Sequence, residues 1–449
     1  MKTTISDKGG RLILYIFYPL AIAAILFSCK SGQVNLFKPA SPHEQYQRKL
    51  VTAGLDKTSM GSAWIVSSLS VLQKALTITI PYRESGYFPA DAASAAAYRF
   101  SVARGQKISI ELSKKPLDQF MIYTDVWEQP ENGQMKLLAS GDTISSTLVF
   151  EARMSGTILI RLQPELLRGG QYTLNITAGP SLGFPVKSSN SSHIQSIFGD
   201  GRDKNSRKHE GIDIFATFRT PAIAAAAGTI IRVNENNLGG KVVWLRPKDK
   251  DYTLYYAHLD QQIATEGQSV AEGDTIGLIG NTGNAKTTLP HLHFGVYTSD
   301  GAIDPMAFVN TAVKPAVKIS ASVNNLNATM RTTGKAGIFN STVSGSRSTL
   351  TLKPGTVMTV TAANAGWYRV KLPDGEPGFI QSKELSGIAK PLKRIKIGPA
   401  QQELLDRPDS LLSCRKLALK EGSTVEVLGN YGNYQLVKNE SDATGWIRQ

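Results

Sequence analysis

Cysteine is scarce. Cys29 and Cys414 are the only two in 449 residues, too few for a disulfide framework. Acidic residues are short as well: 36 Asp and Glu against 50 Lys and Arg leave a formal net charge of +14. Such a surplus suits an anionic partner (nucleic acid, acidic lipid headgroups or an acidic envelope polymer), and equally a solvated basic surface that merely aids solubility. Long apolar runs are confined to one stretch, Leu12 to Phe27. It falls short of the about 20 residues that a spanning helix needs, and Pro19 interrupts it. What is present in quantity, 41% hydrophobic against 19% charged residues, is the composition of a folded chain. The length allows about three domains, each with a moderate core.

Lys2, Lys8 and Arg11 precede the apolar run, the pattern of a secretory signal. Leu26-Phe27-Ser28-Cys29 follows it and resembles the bacterial lipoprotein box. That resemblance implies cleavage after a signal peptide of residues 1–28 and attachment of lipid to the Cys29 thiol, leaving Cys414 without a partner. A Cys29–Cys414 disulfide and an uncleaved N-terminal anchor are the rival readings. All but the disulfide place the bulk of the chain at a membrane surface on the extracytoplasmic side, in the cell envelope, with no nucleic acid as partner.

Residues 29–76 read as a polar tether and a helical segment. Tyr46, Leu50 and Val51, then Trp64, Ile65, Leu69 and Leu72, recur at helical spacing, with Gly54 and Gly61 as breaks. Between 77 and 180 the period changes to strands. Tyr98–Val102, Lys107–Leu112, Gly156–Leu162 and Gln171–Ile176 alternate between Gly and Pro breaks, and predict a β-sandwich accessory domain without a catalytic constellation.

Histidine is the informative scarcity. Five of the six lie between Pro180 and Asn310, and four of these five sit in three short motifs. In Lys208-His-Glu-Gly-Ile-Asp-Ile214, strand alternation puts His209, Gly211 and Asp213 on one face and Ile212 and Ile214 on the other. Leu254-Tyr-Tyr-Ala-His258-Leu259 is strand-like. In Pro290-His-Leu-His-Phe-Gly-Val296, His291 and His293 share a face opposite Leu292, Phe294 and Val296. His43 and His193 read as ordinary core or surface residues. Paired imidazole and carboxylate ligands on strand faces suit a zinc site, which takes three protein ligands and keeps one position open for catalysis.

His209-x-x-x-Asp213, the Tyr-Ala-His258-Leu motif and His291-x-His293 together resemble the lysostaphin-type, or LytM-like, zinc metallopeptidase family over 196–308. Gly267–Gly277, Gly280-Asn-Thr-Gly283 and Asp304-Pro305 extend the match. The resemblance implies an antiparallel β-sheet peptidase domain at 181–311, with His209, Asp213 and His293 as metal ligands for Zn2+ and His258 and His291 as catalytic histidines. Which of the two takes the water's proton stays open. Glu210 is not at the spacing of a helical glutamate base and reads as supporting or exposed. The run Phe198-Gly-Asp-Gly-Arg202 and the pair Gly240-Lys241 depart from the family's pattern on loops expected to line the groove.

The C-terminal part repeats. Leu352-Lys-Pro-Gly355 returns as Leu419-Lys-Glu-Gly422, an offset of 67 positions (419 − 352), and Val360, Trp367, Val370 and Gly378-Phe-Ile380 recur as Val427, Tyr434, Val437 and Gly445-Trp-Ile447. The pattern resembles tandem bacterial SH3-like barrels, at 312–388 and 389–449, which implies binding of wall peptides. Structural spacing is the alternative, with Trp367 and Trp446 as barrel core. Lys390, Lys393, Arg394 and Lys396 make a basic linker. The expectation is therefore a mainly β, multidomain, lipid-anchored zinc endopeptidase that hydrolyses peptidoglycan cross-link or stem peptides. The alternative is a catalytically silent peptidoglycan-binding scaffold or amidase regulator, against which the retained ligands and histidines argue.

Overall fold

Ser41 and Glu44 are spaced as a capping box, and each side chain bonds the other's backbone N–H, at 3.2 and 3.1 Å. The helix α1 (Pro42–Thr52) starts there, and α2 (Ser59–Gln73) starts where Thr58 Oγ1 accepts from Gly61 N at 3.1 Å. The computed structural model describes residues 40–449 apart from 119, 130–133, 143–146, 343–344 and 400–401. The signal segment, Cys29 and the start of the tether lie outside the described residues. Among those described, no helix is long and apolar enough to cross a membrane.

Both helices lean on the sandwich. Trp64 Nε1 donates to the Pro164 carbonyl at 2.8 Å, and Gln163 Nε2 donates to the Trp64 carbonyl at 2.9 Å. His43 stacks on Trp64 with ring centroids 4.7 Å apart and donates Nε2–H to Gln163 Oε1 at 2.6 Å. The sandwich itself follows from period-2 alternation. One sheet holds Leu76–Thr77, Ala96–Val102, Gly156–Pro164, Ile122–Gln129 and Lys136–Gly141; the facing strands are β1 (Tyr82–Phe88), Gly170–Pro180, Gln106–Lys115 and Thr147–Glu151. Tyr98, Phe100, Ile108, Ile160 and Leu174 fill the space between them.

The central sheet carries the histidine motifs. Strands β2 (Ile212–Phe215), β3 (Gly228–Asn236), β4 (Gly240–Pro247), β5 (Thr253–Gln262) and β6 (His291–Thr298) lie in the order β2-β6-β5-β4-β3, every neighbouring pair antiparallel. One face is apolar core: Ile212, Ile214, Leu254, Tyr256, Leu292, Phe294 and Val296 are fully buried. The other face carries Asp213, His293 and Ala257 side by side in register. The next row is Gly295, Tyr255, Trp244 and Arg232.

This domain is fastened to the sandwich. Phe308 enters against Gly105, whose φ is +89° and where a Cβ would lie 2.4 Å from the Phe308 ring, so no other residue fits. Arg104 pairs with Asp251 at 3.3 Å, and Lys250 with Glu151.

In the C-terminal part β7 (Val357–Asn364), β8 (Trp367–Lys371) and Pro377–Gln381 form a meander, and Thr424–Tyr431, Tyr434–Lys438 and Thr444–Arg448 repeat it. The strands recur at the spacing of the sequence repeat. Trp446 is buried with Val357, Leu428 and Leu436, between the two repeats. Trp367 is half-buried, edge-on to Phe339 at 5.3 Å.

One feature departs from a string of separate domains. β7 pairs with β1, Ser85 opposite Ala363 and Gly86 opposite Ala362, so the sandwich and the first repeat share a ladder. Beneath it Glu84, with no exposed surface, accepts from the hydroxyls of Tyr82 at 2.6 Å, Tyr172 at 2.7 Å and Tyr98, and faces Arg369 of β8 at 3.2 Å. Burial pushes the hydroxyls of Tyr82, Tyr98 and Tyr172 up, so all three remain donors.

Candidate metal centre

Asp213 and His293 face each other on β2 and β6. His209 stands before β2, in the turn that follows Arg207–Lys208, not on the strand that alternation predicted. It still reaches the pair. His209 Nε2 lies 3.0 Å from Asp213 Oδ1 and 2.9 Å from His293 Nδ1, and His293 Nδ1 lies 3.1 Å from Asp213 Oδ1. Gly211 is closely packed between them. A Cβ there would stand 2.8 Å from the His293 ring and 2.5 Å from the Phe294 carbonyl, so the glycine admits the imidazole.

The tautomers follow from the outer bonds. His209 Nδ1 donates to the Ile197 carbonyl at 2.9 Å, which leaves its Nε2 with a lone pair. That lone pair meets a carboxylate oxygen and a second ring nitrogen. With His293 in its Nε2–H tautomer, three acceptor atoms converge within about 3 Å, an arrangement that a cation among them relieves. Tetrahedral zinc at about 2.0–2.1 Å from each ligand would set them roughly 3.3 Å apart. The triangle needs only a few tenths of an ångström of relaxation, and its two imidazoles and one carboxylate suit zinc in their chemistry.

Electrostatics favours the same occupancy. Burial lowers the pKa of His293, so the ring presents a free nitrogen at neutral pH. Burial alone would raise Asp213, but hydrogen bonds and charge from the two imidazoles whenever they carry a proton toward it hold its carboxyl well below the usual range, so with the rings neutral it remains an anion. Arg202 Nη2 donates to Asp213 Oδ2 at 2.9 Å and to Ser196 Oγ at 2.5 Å. Oδ1 is thereby left to the cluster. In the sequence Arg202 stands out only as part of a loop that departs from the resembled family's pattern.

His258 and His291 stand beside the triangle. His291 Nδ1 donates to the Leu289 carbonyl at 2.8 Å, and its Nε2 is 4.0 Å from Asp213 Oδ1. His258 Nδ1 donates to the Thr282 carbonyl at 2.9 Å, and its ring is 4.9 Å from that of His291. Burial, then the neighbouring His291 and His293, pushes the His258 pKa down to about 4. Simple alternation would turn His258 away from Ala257 into the core. Its φ of +62° at a register shift between β4 and β5 puts both residues on the groove side. Nothing in the sequence marks that bulge. Glu210 is exposed and accepts from Tyr297 Oη at 3.1 Å. His193 is at the surface, and His43 is buried on Trp64. The groove holding the cluster is about 480 Å³ and is walled by Trp244, Tyr255 and Tyr297.

Comparison with known proteins finds that residues 207–305 match the family model of peptidase family M23, and residues 340–387 that of the bacterial SH3 domain. An uncharacterized metalloprotease of Haemophilus influenzae is 38% identical over 101 residues, covering 22% of this chain and 21% of the relative. The glycyl-glycine endopeptidase ALE-1 of Staphylococcus capitis is 33% identical over 126 residues, 27% of this chain and 34% of its own. The L-Ala--D-Glu endopeptidase of Bacillus subtilis is 34% identical over 127 residues, 26% of this chain and 38% of its own. The chain thus spans from about a fifth to two-fifths of the length of these relatives. Among solved structures, the lysostaphin catalytic domain from Staphylococcus simulans is 31% identical, covers 26% of this chain and 87% of its own, and superposes with a TM-score of 0.23.

Proposed function

We propose that this chain is a zinc-dependent endopeptidase that hydrolyses peptide bonds of bacterial peptidoglycan. The observation that carries the reading is the triangle of converging ligand atoms from His209, Asp213 and His293 with two more imidazoles beside it. His209, Asp213 and His293 would hold the metal. Zinc bound there supplies a Lewis acid and an acidified water near neutral pH. The chain's own contribution is placement and proton transfer. His258 and His291 are each tied through Nδ1 to a backbone carbonyl, so each offers Nε2 to the groove as a proton acceptor. Arg202 orients the carboxylate of Asp213. A silent scaffold has no use for two such imidazoles at the rim of a ligand triangle. The match to peptidase family M23 over 207–305 and the relatives' names, glycyl-glycine and L-Ala--D-Glu endopeptidases, support wall peptides as substrate.

The finer assignments belong to the same proposal. Residues 1–28 are a lipoprotein signal, and lipid on Cys29 holds the protein at the extracytoplasmic side of an envelope membrane; the sequence pattern supports this. The second repeat is a further SH3-like module, which its strand positions support. The test is mass spectrometry of fragments released from defined peptidoglycans. Cleavage should vanish in chelator and return with zinc. Asp213→Ala should lose the metal, and His291→Ala should keep metal and lose turnover. Release of zinc by His291→Ala with retention by His293→Ala would reverse the assignment.

A further inference from the structure

The sheet face that carries Asp213 and His293 does not end at the cluster. Along β6 it continues from His293 through Gly295 to Tyr297, and along the neighbouring strands to Tyr255, Trp244 and Arg232. Trp244 and Tyr297 line both the metal groove and a second groove of about 600 Å³ that runs on past Arg232 and Arg246. The two grooves adjoin across these shared side chains. At about 3.3 Å per residue, the four steps from His293 to Tyr297 span roughly 13 Å.

Charge distinguishes the far arm. The neighbouring charges are already used: Lys250 pairs with Glu151, and Asp251 with Arg104. Arg232 and Arg246 are exposed, and neither has an ion-pair or side-chain hydrogen-bond partner among the described residues. They flank the half-buried Trp244, Arg232 directly opposite it on β3 and Arg246 two residues along β4 on the same face. Two free guanidinium forks beside an indole suit a planar carboxylate on an extended chain, held in bidentate fashion while the backbone lies on the aromatic ring.

We infer that Arg232, Trp244 and Arg246 form a subsite for a carboxylate-bearing stretch of the peptide whose scissile bond lies at the metal cluster, roughly 16 Å or about five extended residues away when the strand spacing of about 4.8 Å is included. The inference rests on the peptidase reading and names which part of the substrate is recognised. Remote binding of this kind holds the substrate equally in ground and transition states, so its loss shows in KM rather than kcat.

The test uses full-length, zinc-loaded His291→Ala, which binds without turnover. Its ligands are a soluble cross-linked muropeptide dimer with free carboxylates and the same dimer converted to carboxamides, followed by calorimetry. The carboxylate dimer should bind roughly tenfold more tightly than the carboxamide. Adding Arg232→Gln and Arg246→Gln together should erase that advantage and leave carboxamide binding unchanged. In the active chain the same pair should raise KM for the carboxylate dimer about tenfold with kcat within about twofold. Binding of both dimers weakened alike, or a double variant within twofold of its parent, overturns the subsite. So does tighter binding of an oligo(glycerol phosphate), which would make the arm a phosphate-polymer site. Failure of the active chain to cleave either dimer would instead strike the peptidase reading, while the calorimetric difference is scored by itself.

Discussion

Replacing Arg369 by Met should loosen the first C-terminal repeat from the sandwich. The guanidinium faces Glu84 at 3.2 Å, with side-chain exposures of 10% and 0%. At an effective dielectric of about 20 the pair attracts by about 5 kcal/mol, and removing one partner of such a buried pair costs about 3–5 kcal/mol. Tyr82, Tyr98 and Tyr172 still donate to the carboxylate, which argues for the lower end, about 3 kcal/mol. Methionine preserves most of the stem packing, so the loss reports the charge. Hydrogen exchange reads it directly on peptides covering 82–88 and 357–364, whose ladder joins the two units. Protection there should fall about a hundredfold. Glu84→Gln combined with Arg369→Met should recover part of the loss, because neither charge is then left alone. Protection within about threefold of the parent in Arg369→Met, or a double variant no better than the summed singles, refutes the reasoning.

Arg202→Met should weaken zinc binding by about 10–100-fold, because Asp213 Oδ2 loses its donor; excess zinc should restore turnover, and equal affinity in a competition assay would refute the role. Stability should also fall on acidification. Burial depresses His43 from 6.5 to about 4, so the folded chain keeps the ring neutral while the unfolded chain protonates it. Its contribution is whole above pH 6.5 and is lost between 6.5 and 4, up to about 3 kcal/mol. His43→Phe, which can stack on Trp64 without titrating, should flatten that part of the urea-midpoint profile; parallel profiles for the two proteins would refute it.

The parts legible in the sequence were those with a strict period. Alternation in His291–Val296 gives β6 and its two faces, and the 67-position repeat gives the strands of both C-terminal meanders. The histidine triangle was legible as residue types. Its geometry was not, since His209 sits in a turn and Gly211 is there for the His293 ring. His258 reaches the groove only through a positive φ, which no neighbouring Gly, Asn or Asp signals. Arg202 carried no recognisable spacing because its partner lies across the turn at Asp213.

What periodicity could not reveal is pairing between distant segments. No period in the sequence links the sandwich strand Tyr82–Phe88 with the repeat strand Val357–Asn364, yet they pair at Ser85–Gly86 and Ala362–Ala363. At those residues the edge cannot also take up a ligand by strand addition. Trp446 is likewise spent between the repeats. Binding by the first repeat must therefore use its other surfaces, and the pair cannot act as a module swinging freely on a linker. A chain cut near Asn310 would remove β7 and Arg369 together. It would expose a strand edge and strand Glu84 in the sandwich core, so lost activity in such a fragment would report damage to the sandwich that fastens the central sheet through Gly105 and Phe308. Separating the roles of groove and repeats requires point variants on exposed surfaces rather than truncation.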